Sequence, residues 1–309
     1  MRRILPVVLL GFLSGCEDTL SAQPFVSDRQ FRAALPSAER HTLDVIDASD
    51  GYLGMAPPVP GTWPDLVQLS LDVGGDLNGL TLACLELVES AAATEPSYRS
   101  ETSREWGPFE GTDRVTYSVE VERRSDTYTW DLRSSAAGAN TLERACAGEH
   151  LSGAVALADG TGTLDISLEA WPTLDGAVGN LYTEYDLTDG QQFRIEIDGL
   201  GGPNQRAEDG RYFFRHRPGG AGDFQYRTTI LLDGEYEGLL EVRTRWQSDR
   251  RGRSDAVVWI ESSARRFSFS QCFTEDDRFA WRWTDFQDGG SYGDAAQCVH
   301  ETAAAVDEI

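Results

Sequence analysis

The sequence predicts a mainly β protein: a long antiparallel meander of about twelve strands, forming a curved sheet, half-barrel or barrel, with an N-terminal helix packed on its apolar face. Three observations carry this. From residue 114 onward apolar and polar residues alternate with a period of two. Asp-Gly pairs, suited to tight hairpin turns, stand between alternating runs. A single apolar stripe at steps of three and four precedes the strands.

At the start of the folded part, Ser27-Asp28-Arg29-Gln30 has the spacing of a capping box, with Phe31, Ala34 and Leu35 behind it as a small apolar face. Pro36 should stop that helix. Residues 42–46 read as a short extended piece, and 47–64, rich in Gly and Pro, as loop. The main helix is expected over about 63–93, where Leu66, Leu69, Val73, Leu77, Leu80, Cys84, Leu87, Val88 and Ala91 form one stripe. Gly74, Gly75 and Gly79 weaken it by about 1 kcal/mol each relative to alanine. Strands at 66–73 and 80–88 are the rival reading, but one stripe explains both halves.

The strands follow. Val115, Tyr117, Val119 and Val121 alternate with polar neighbours, as do Tyr128, Trp130 and Leu132; Leu164, Ile166 and Leu168; and Phe193, Ile195 and Ile197. Phe224, Tyr226, Thr228 and Ile230 lead into Asp233-Gly234, and Leu240, Val242, Thr244 and Trp246 lead away. Asp159-Gly160 and Asp189-Gly190 are the other turn candidates. Runs at 256–260, 266–273 and 278–284 complete the set. The runs flanking Asp233-Gly234 would each extend about 35 Å, longer than ordinary sandwich strands, which favours curvature or closure. Their outer face carries Glu241, Arg243, Arg245, Glu196, Asp165 and Glu169, so it cannot face lipid.

The N-terminus points to the compartment. Arg2-Arg3 precedes a short apolar core at 4–12, too short to span a bilayer and flanked like a cleaved signal. Leu13-Ser14-Gly15-Cys16 then resembles the lipobox of bacterial lipoproteins. That resemblance implies a signal peptide at 1–15 and lipidation of Cys16. It implies a membrane partner through Cys16 and a cell-envelope location. The polar stretch at 16–27 reads as a tether, and with no internal repeat or boundary in the strand region the rest reads as one domain at 28–309, whose first part, 28–93, is helical. Glu17 is not the strongest inner-membrane retention residue, which favours the outer membrane. Trp106-Gly107-Pro108-Phe109 before a long run of strands is also similar to uncharacterised lipoproteins of GC-rich bacteria, a group that implies no activity.

Composition excludes several chemistries. Acidic residues number 51 and basic ones 27, for a net charge of −24, which argues against nucleic acid as a partner. Every basic residue is arginine, so no Schiff-base, pyridoxal-phosphate or phosphate-loop lysine exists. Beyond Cys16, the four cysteines of an exported chain read as two disulfides: Cys272–Cys298, near in sequence, and by elimination Cys84–Cys146. No CxxC pair or histidine ligand spacing supports a metal, and no cofactor is expected.

The remaining motifs each have a plain reading. Gly289-Gly290-Ser291-Tyr292-Gly293 matches G-x-S-x-G, but no apolar strand leads directly into it, and Asp294 and His300 follow too closely to complete a triad. It reads as a glycine-rich loop. Arg211, Arg215 and Arg217, with Arg243, Arg245, Arg250, Arg251 and Arg253, could form a site for phosphate or an anionic glycolipid; cross-strand pairing with Glu241, Glu237 and Asp223 is the reading we favour. Asp72, Asp76 and Asn78, and separately Asp47, Asp50 and Gly51, lack calcium-loop spacing. Trp130, Trp246, Trp259, Trp281 and Trp283, with Phe267, Phe269 and Phe279, read as core. No catalytic residue is assigned. Two functions remain: a non-enzymatic structural or interaction lipoprotein, or a carrier whose sheet and helix enclose an apolar ligand. The carrier architecture is similar to lipoproteins in which a bent antiparallel sheet is covered by helices.

Overall fold

A computed structural model of the chain describes residues 22–46, 65–110, 115–135, 143–152, 159–171, 177–202, 208–232, 236–275, 279–286 and 289–303. Among the described residues three α-helices come first: α1 (Ala22–Ala33), α2 (Ala38–His41) and α3 (Leu66–Ala92). Fifteen strands follow: β1 (Tyr98–Arg99), β2 (Ser103–Glu110), β3 (Thr116–Arg124), β4 (Thr127–Ser135), β5 (Glu143–Ser152), β6 (Gly160–Ser167), β7 (Val178–Asp186), β8 (Gln191–Gly201), β9 (Glu208–His216), β10 (Gly222–Leu232), β11 (Tyr236–Trp246), β12 (Gly252–Ile260), β13 (Arg265–Phe273), β14 (Phe279–Thr284) and β15 (Gly290–Gly293). Each strand pairs antiparallel with its neighbours in sequence, in one sheet whose first and last strands do not meet. The predicted meander is therefore present as an open curved sheet, with more strands than the alternation suggested. Strands β2, β5, β9 and β15 lack a clean alternation because Gly, Pro, Ala or Arg interrupt their apolar positions.

Helix α3 has 27 residues, a length of about 40 Å. It touches β2 and β3 near one end of the meander and β11, β12 and β13 near the other, so it lies across the concave side of the sheet. Asp65 caps it, accepting from the amides of Val67 and Gln68 at 3.1 Å each. Gln271 on β13 completes the cap: its side-chain oxygen accepts from the Leu66 amide at 3.0 Å and its nitrogen donates to Asp65 at 3.2 Å. One turn on, the Ser70 hydroxyl meets that of Thr244 at 2.7 Å, which meets Ser254 at 2.8 Å, all three fully buried. Towards the C-terminal end, the Cys84–Cys146 disulfide joins the helix to β5. The second expected pair, Cys272–Cys298, ties β13 to the segment after β15.

The buried stripe of α3 runs through Leu66, Ser70, Gly74, Leu77, Thr81, Cys84, Leu85, Val88 and Ala92. It coincides with the expected one at Leu66, Leu77, Cys84, Val88 and Ala91, but Ser70, Gly74, Thr81 and Leu85 are buried as well, while Leu69, Val73, Leu80 and Leu87 are only partly buried. Small and hydroxyl-bearing residues face the core because the surroundings come close. A Cβ on Gly74 would lie 2.8 Å from Val45, whereas one on Gly75 or Gly79 would meet nothing within 4 Å. Val45 belongs to residues 42–46, which are irregular rather than extended. They are pinned to the helix by Asn78, which accepts from the Leu43 amide at 2.7 Å and donates to its carbonyl at 3.1 Å.

Helix α1 also departs from expectation. It is helical from Ala22, inside the expected tether, and Ser27 and Asp28 are not its cap. They point into the protein, where Arg104 on β2 donates to both, and Arg99 on β1 donates to Asp28 at 3.1 Å. Burial pushes the Asp28 carboxyl up, but the hydrogen bonds from Arg104 and Arg99 outweigh it and hold the carboxyl below its usual range. The Arg104 guanidinium also lies 4.4 Å from the Phe31 ring centroid. The helix ends at Ala33, ahead of Pro36 as expected.

The concave face is lined by a continuous aromatic layer. Phe214 lies 5.9 Å from Phe193, 6.4 Å from Phe224 and 6.2 Å from Trp246, between ring centroids. Glycines opposite large rings make room for them: Gly148 faces Trp130 and Gly222 faces Trp246, and a Cβ on Gly222 would sit 2.1 Å from the indole. Of the expected Asp-Gly turns, Asp189-Gly190 lies in the four-residue β7–β8 hairpin, with Gly190 at φ +88°. Gly160 instead opens β6, and Asp233-Gly234, like 47–64, lies outside the described residues.

Gly75→Ala and Gly79→Ala should each raise unfolding stability by about 0.5–1 kcal/mol, because helix propensity rises and the added methyl group enters open space. Gly74→Ala should lower it, because the methyl group displaces Val45. Urea denaturation of the three variants checks both signs.

Candidate functional site: an arginine-lined cleft on the outer face

The register of β7–β12 dictates what the outer face displays. Phe193, Ile195, Tyr212, Phe214, Phe224, Tyr226 and Val242 point inward and are buried, so their neighbours in sequence point outward. Those outward residues align in three rows across the strands. One runs Tyr182, Glu196, Arg211, Arg227, Glu241; the next runs Glu184, Arg194, Phe213, Gln225, Arg243, Asp255; the third runs Asp186, Gln192, Arg215, Asp223, Arg245, Arg253.

Two adjacent arginine pairs, Arg211 beside Arg227 and Arg245 beside Arg253, would repel without nearby carboxylates. Glu241 accepts from Arg227, and Glu196 lies 3.5 Å from Arg211. Asp255 accepts from Arg253 at 2.8 Å, from Arg245 at 3.3 Å and from the Ser270 hydroxyl at 2.6 Å. Arg243 grips Asp223 with two bonds, 3.1 and 2.5 Å. The expected cross-strand pairing is thus present for Glu241 and Asp223.

Two arginines differ. Among the described residues Arg194 makes no ion pair or hydrogen bond, and Arg215 donates only to the Gln192 amide oxygen, at 3.2 and 3.0 Å. The Arg215 guanidinium lies 5.2 Å from the Phe213 ring centroid. Both arginines line a cleft of about 380 Å³ together with Tyr182, Glu184, Glu196, Arg211, Phe213, Asp223, Gln225 and Arg243. Asp223 and Gln225 are buried in it. Arg217, Arg250 and Arg251, from the same sequence clusters, do not line it.

Beside this cleft, residues 298–303 cross the outer face as a strap. Arg253 donates to the carbonyls of His300 and Glu301 at 3.1 Å each, Arg245 donates to that of Thr302 at 2.9 Å, and the Cys272–Cys298 bond anchors the start. This explains how charged outward residues such as Arg253 and Asp255 come to be buried. Burial, with Arg245 and Arg253 nearby, pulls the His300 imidazole below its usual range.

The other sequence candidates separate. Gly290-Ser291-Tyr292-Gly293 is the edge strand β15, not a loop, with Ser291 exposed opposite Trp283. Asp294 caps the turn that follows, accepting from the Ala296 amide at 3.0 Å, and neither it nor His300 bonds to Ser291 among the described residues. Trp130 and Trp246 are core, but Trp259 and Trp283 are exposed, because they fall on the outward phase of β12 and β14. Asp72 and Asp76 are exposed on α3, and Asp72 accepts from Gln68 at 2.6 Å. Cys16, Asp47, Asp50 and Gly51 lie outside the described residues. No three metal-ligating side chains converge among the described residues.

Two histidines surround Tyr185 in the interior. His150 lies 3.0 Å from the Tyr185 hydroxyl, and His41 packs edge-on to its ring at 4.7 Å. His41 Nδ1 donates to the Ser37 carbonyl at 2.9 Å, and its Nε2 is buried without a hydrogen bond. Burial lowers His41 to about 4, with the positive charge of Arg40 adding to it.

Comparison with known protein families, characterised proteins and solved structures finds no match for this chain.

Because His41 is neutral in the fold, the unfolded chain takes up its proton first as pH falls. Its contribution is complete above pH 6.5 and is lost between 6.5 and about 4, amounting to about 3 kcal/mol. His41→Asn keeps a donor for Ser37 but cannot titrate. Urea midpoints measured from neutral pH down to about 4.5 should fall more steeply for the native protein than for this variant.

Proposed function

We propose that the protein is a membrane-anchored lipoprotein of the bacterial cell envelope, non-enzymatic, which serves as a structural or interaction protein and meets its partners through the outer face of the sheet. The observation that carries this reading is where α3 lies. Its residues Leu66, Leu77, Leu85 and Val88 are buried on the concave side, in the space an apolar-ligand carrier would give its ligand. The face left to solvent is polar, grooved and rich in paired charges. Cys16 carries the lipid, with the outer membrane as the favoured site. Only five residues separate Cys16 from the first residue of α1, a reach of about 20 Å at full extension. The Asp28–Arg104 contact fixes α1 to β2, so this edge of the sheet is held near the bilayer.

Expressed in a bacterial host and extracted from its membranes, the protein should begin at Cys16 and carry the mass of acyl chains on that residue by intact mass spectrometry. Cys16→Ser should lack them. A native protein without acyl mass would overturn the anchoring. A solvent-extractable apolar ligand retained in native mass spectra would favour a carrier instead.

A further inference from the structure

We propose that the outer-face cleft across β7–β11 binds a sugar bearing an anionic group, a carboxylate or a phosphate on a hexose-sized ring. The inference goes beyond the envelope role and needs no lipid on Cys16.

Charge is the first argument. The chain carries −24 overall, yet four arginines and three carboxylates line this cleft. Two of those carboxylates, Asp223 and Glu196, already lie against Arg243 and Arg211, and the third, Glu184, is the cross-strand neighbour of Arg194 without an ion pair between them among the described residues. The adjoining cleft over β3–β7, which shares Tyr182, is lined by five carboxylates and three arginines, so the positive balance is local to this one.

Donor geometry is the second. A guanidinium offers five N–H donors in a planar fork matched to carboxylate or phosphate. Among the described residues Arg194 uses none of its donors and Arg215 directs its bonds to a single neutral amide oxygen. Stacking on Phe213 holds Arg215 in place before any ligand arrives.

Size and wall chemistry are the third. About 380 Å³ is near the lower end of the range that small-molecule sites occupy, about 300–1,000 Å³. The walls combine aromatic faces, Tyr182 and Phe213, with the Gln225 amide and charged groups. That mixture suits a ring with hydroxyls and one anionic group better than an acyl chain.

The test is isothermal titration calorimetry on the full-length protein in detergent, with glucuronate, glucose 6-phosphate, glucose and inorganic phosphate as probes. At least one anionic sugar should bind at least about tenfold more tightly than glucose or phosphate, and added salt should weaken it. Preference for glucuronate or for glucose 6-phosphate identifies the anionic group. The double variant Arg194→Gln, Arg215→Gln should lose about tenfold in affinity with an unchanged thermal midpoint, since neither side chain holds a carboxylate. Absence of binding, equal binding of glucose, equal binding of phosphate alone, or undiminished binding in the variant would each overturn the proposal. None of these outcomes affects the acyl mass on Cys16, so the two readings fail separately.

Discussion

A sheet of this many strands, twisted and apolar on one side, must have that side covered. Here one helix does most of the covering. Helix α3 reaches β2 and β3 at one end of the meander and β11–β13 at the other, and a disulfide joins it to β5 between them. Close approach is the condition for this, which is why its buried stripe holds Ser70, Gly74 and Thr81 among the aliphatic residues. The buried hydroxyls satisfy one another and the helix carbonyls: Ser70 donates to Leu66 at 2.9 Å and also meets Thr244. Burying the Ser70, Thr244 and Ser254 hydroxyls therefore leaves none of them without a hydrogen bond.

The sheet is shaped to match. Large rings and glycines alternate across neighbouring strands on the concave side, as in Trp130 with Gly148 and Trp246 with Gly222. A ring that lies over a glycine occupies the volume a second side chain would need, so strands can bend towards the helix without overpacking. The helix and the glycine positions are two parts of one packing solution.

The outer face follows from the same alternation. Once aromatics are assigned inward, their sequence neighbours are assigned outward, and the register stacks arginines beside arginines. Carboxylates relieve most of that repulsion, and the strap over Arg245 and Arg253 supplies backbone carbonyls for the rest. Arg194 and Arg215 stand apart: each has a carboxylate on one side in its row, Glu184 and Asp223 respectively, and an uncharged neighbour on the other, Phe213 and Gln192, yet neither forms an ion pair among the described residues. The cleft is the place where the pairing pattern of the face is incomplete.

Period-two alternation and one helical stripe were enough to read the β class, the meander and the long helix from the chain itself, because each reports a local geometry that a few neighbouring residues determine. The cysteine pairs were legible from their number and spacing. What the chain did not reveal depended on contacts between distant segments. Which residues of α3 are fully buried was decided by how close Val45 and β11 come to Gly74 and Ser70, not by which of its residues are most apolar. Ser27 and Asp28 look like a cap in sequence but answer to Arg104, 76 residues away from Asp28. The arginine clusters were visible as composition, yet only strand register could show which guanidinium meets a carboxylate and which faces an open cleft. Local periodicity lies in the sequence; the choice among equivalent local partners is made when the strands align.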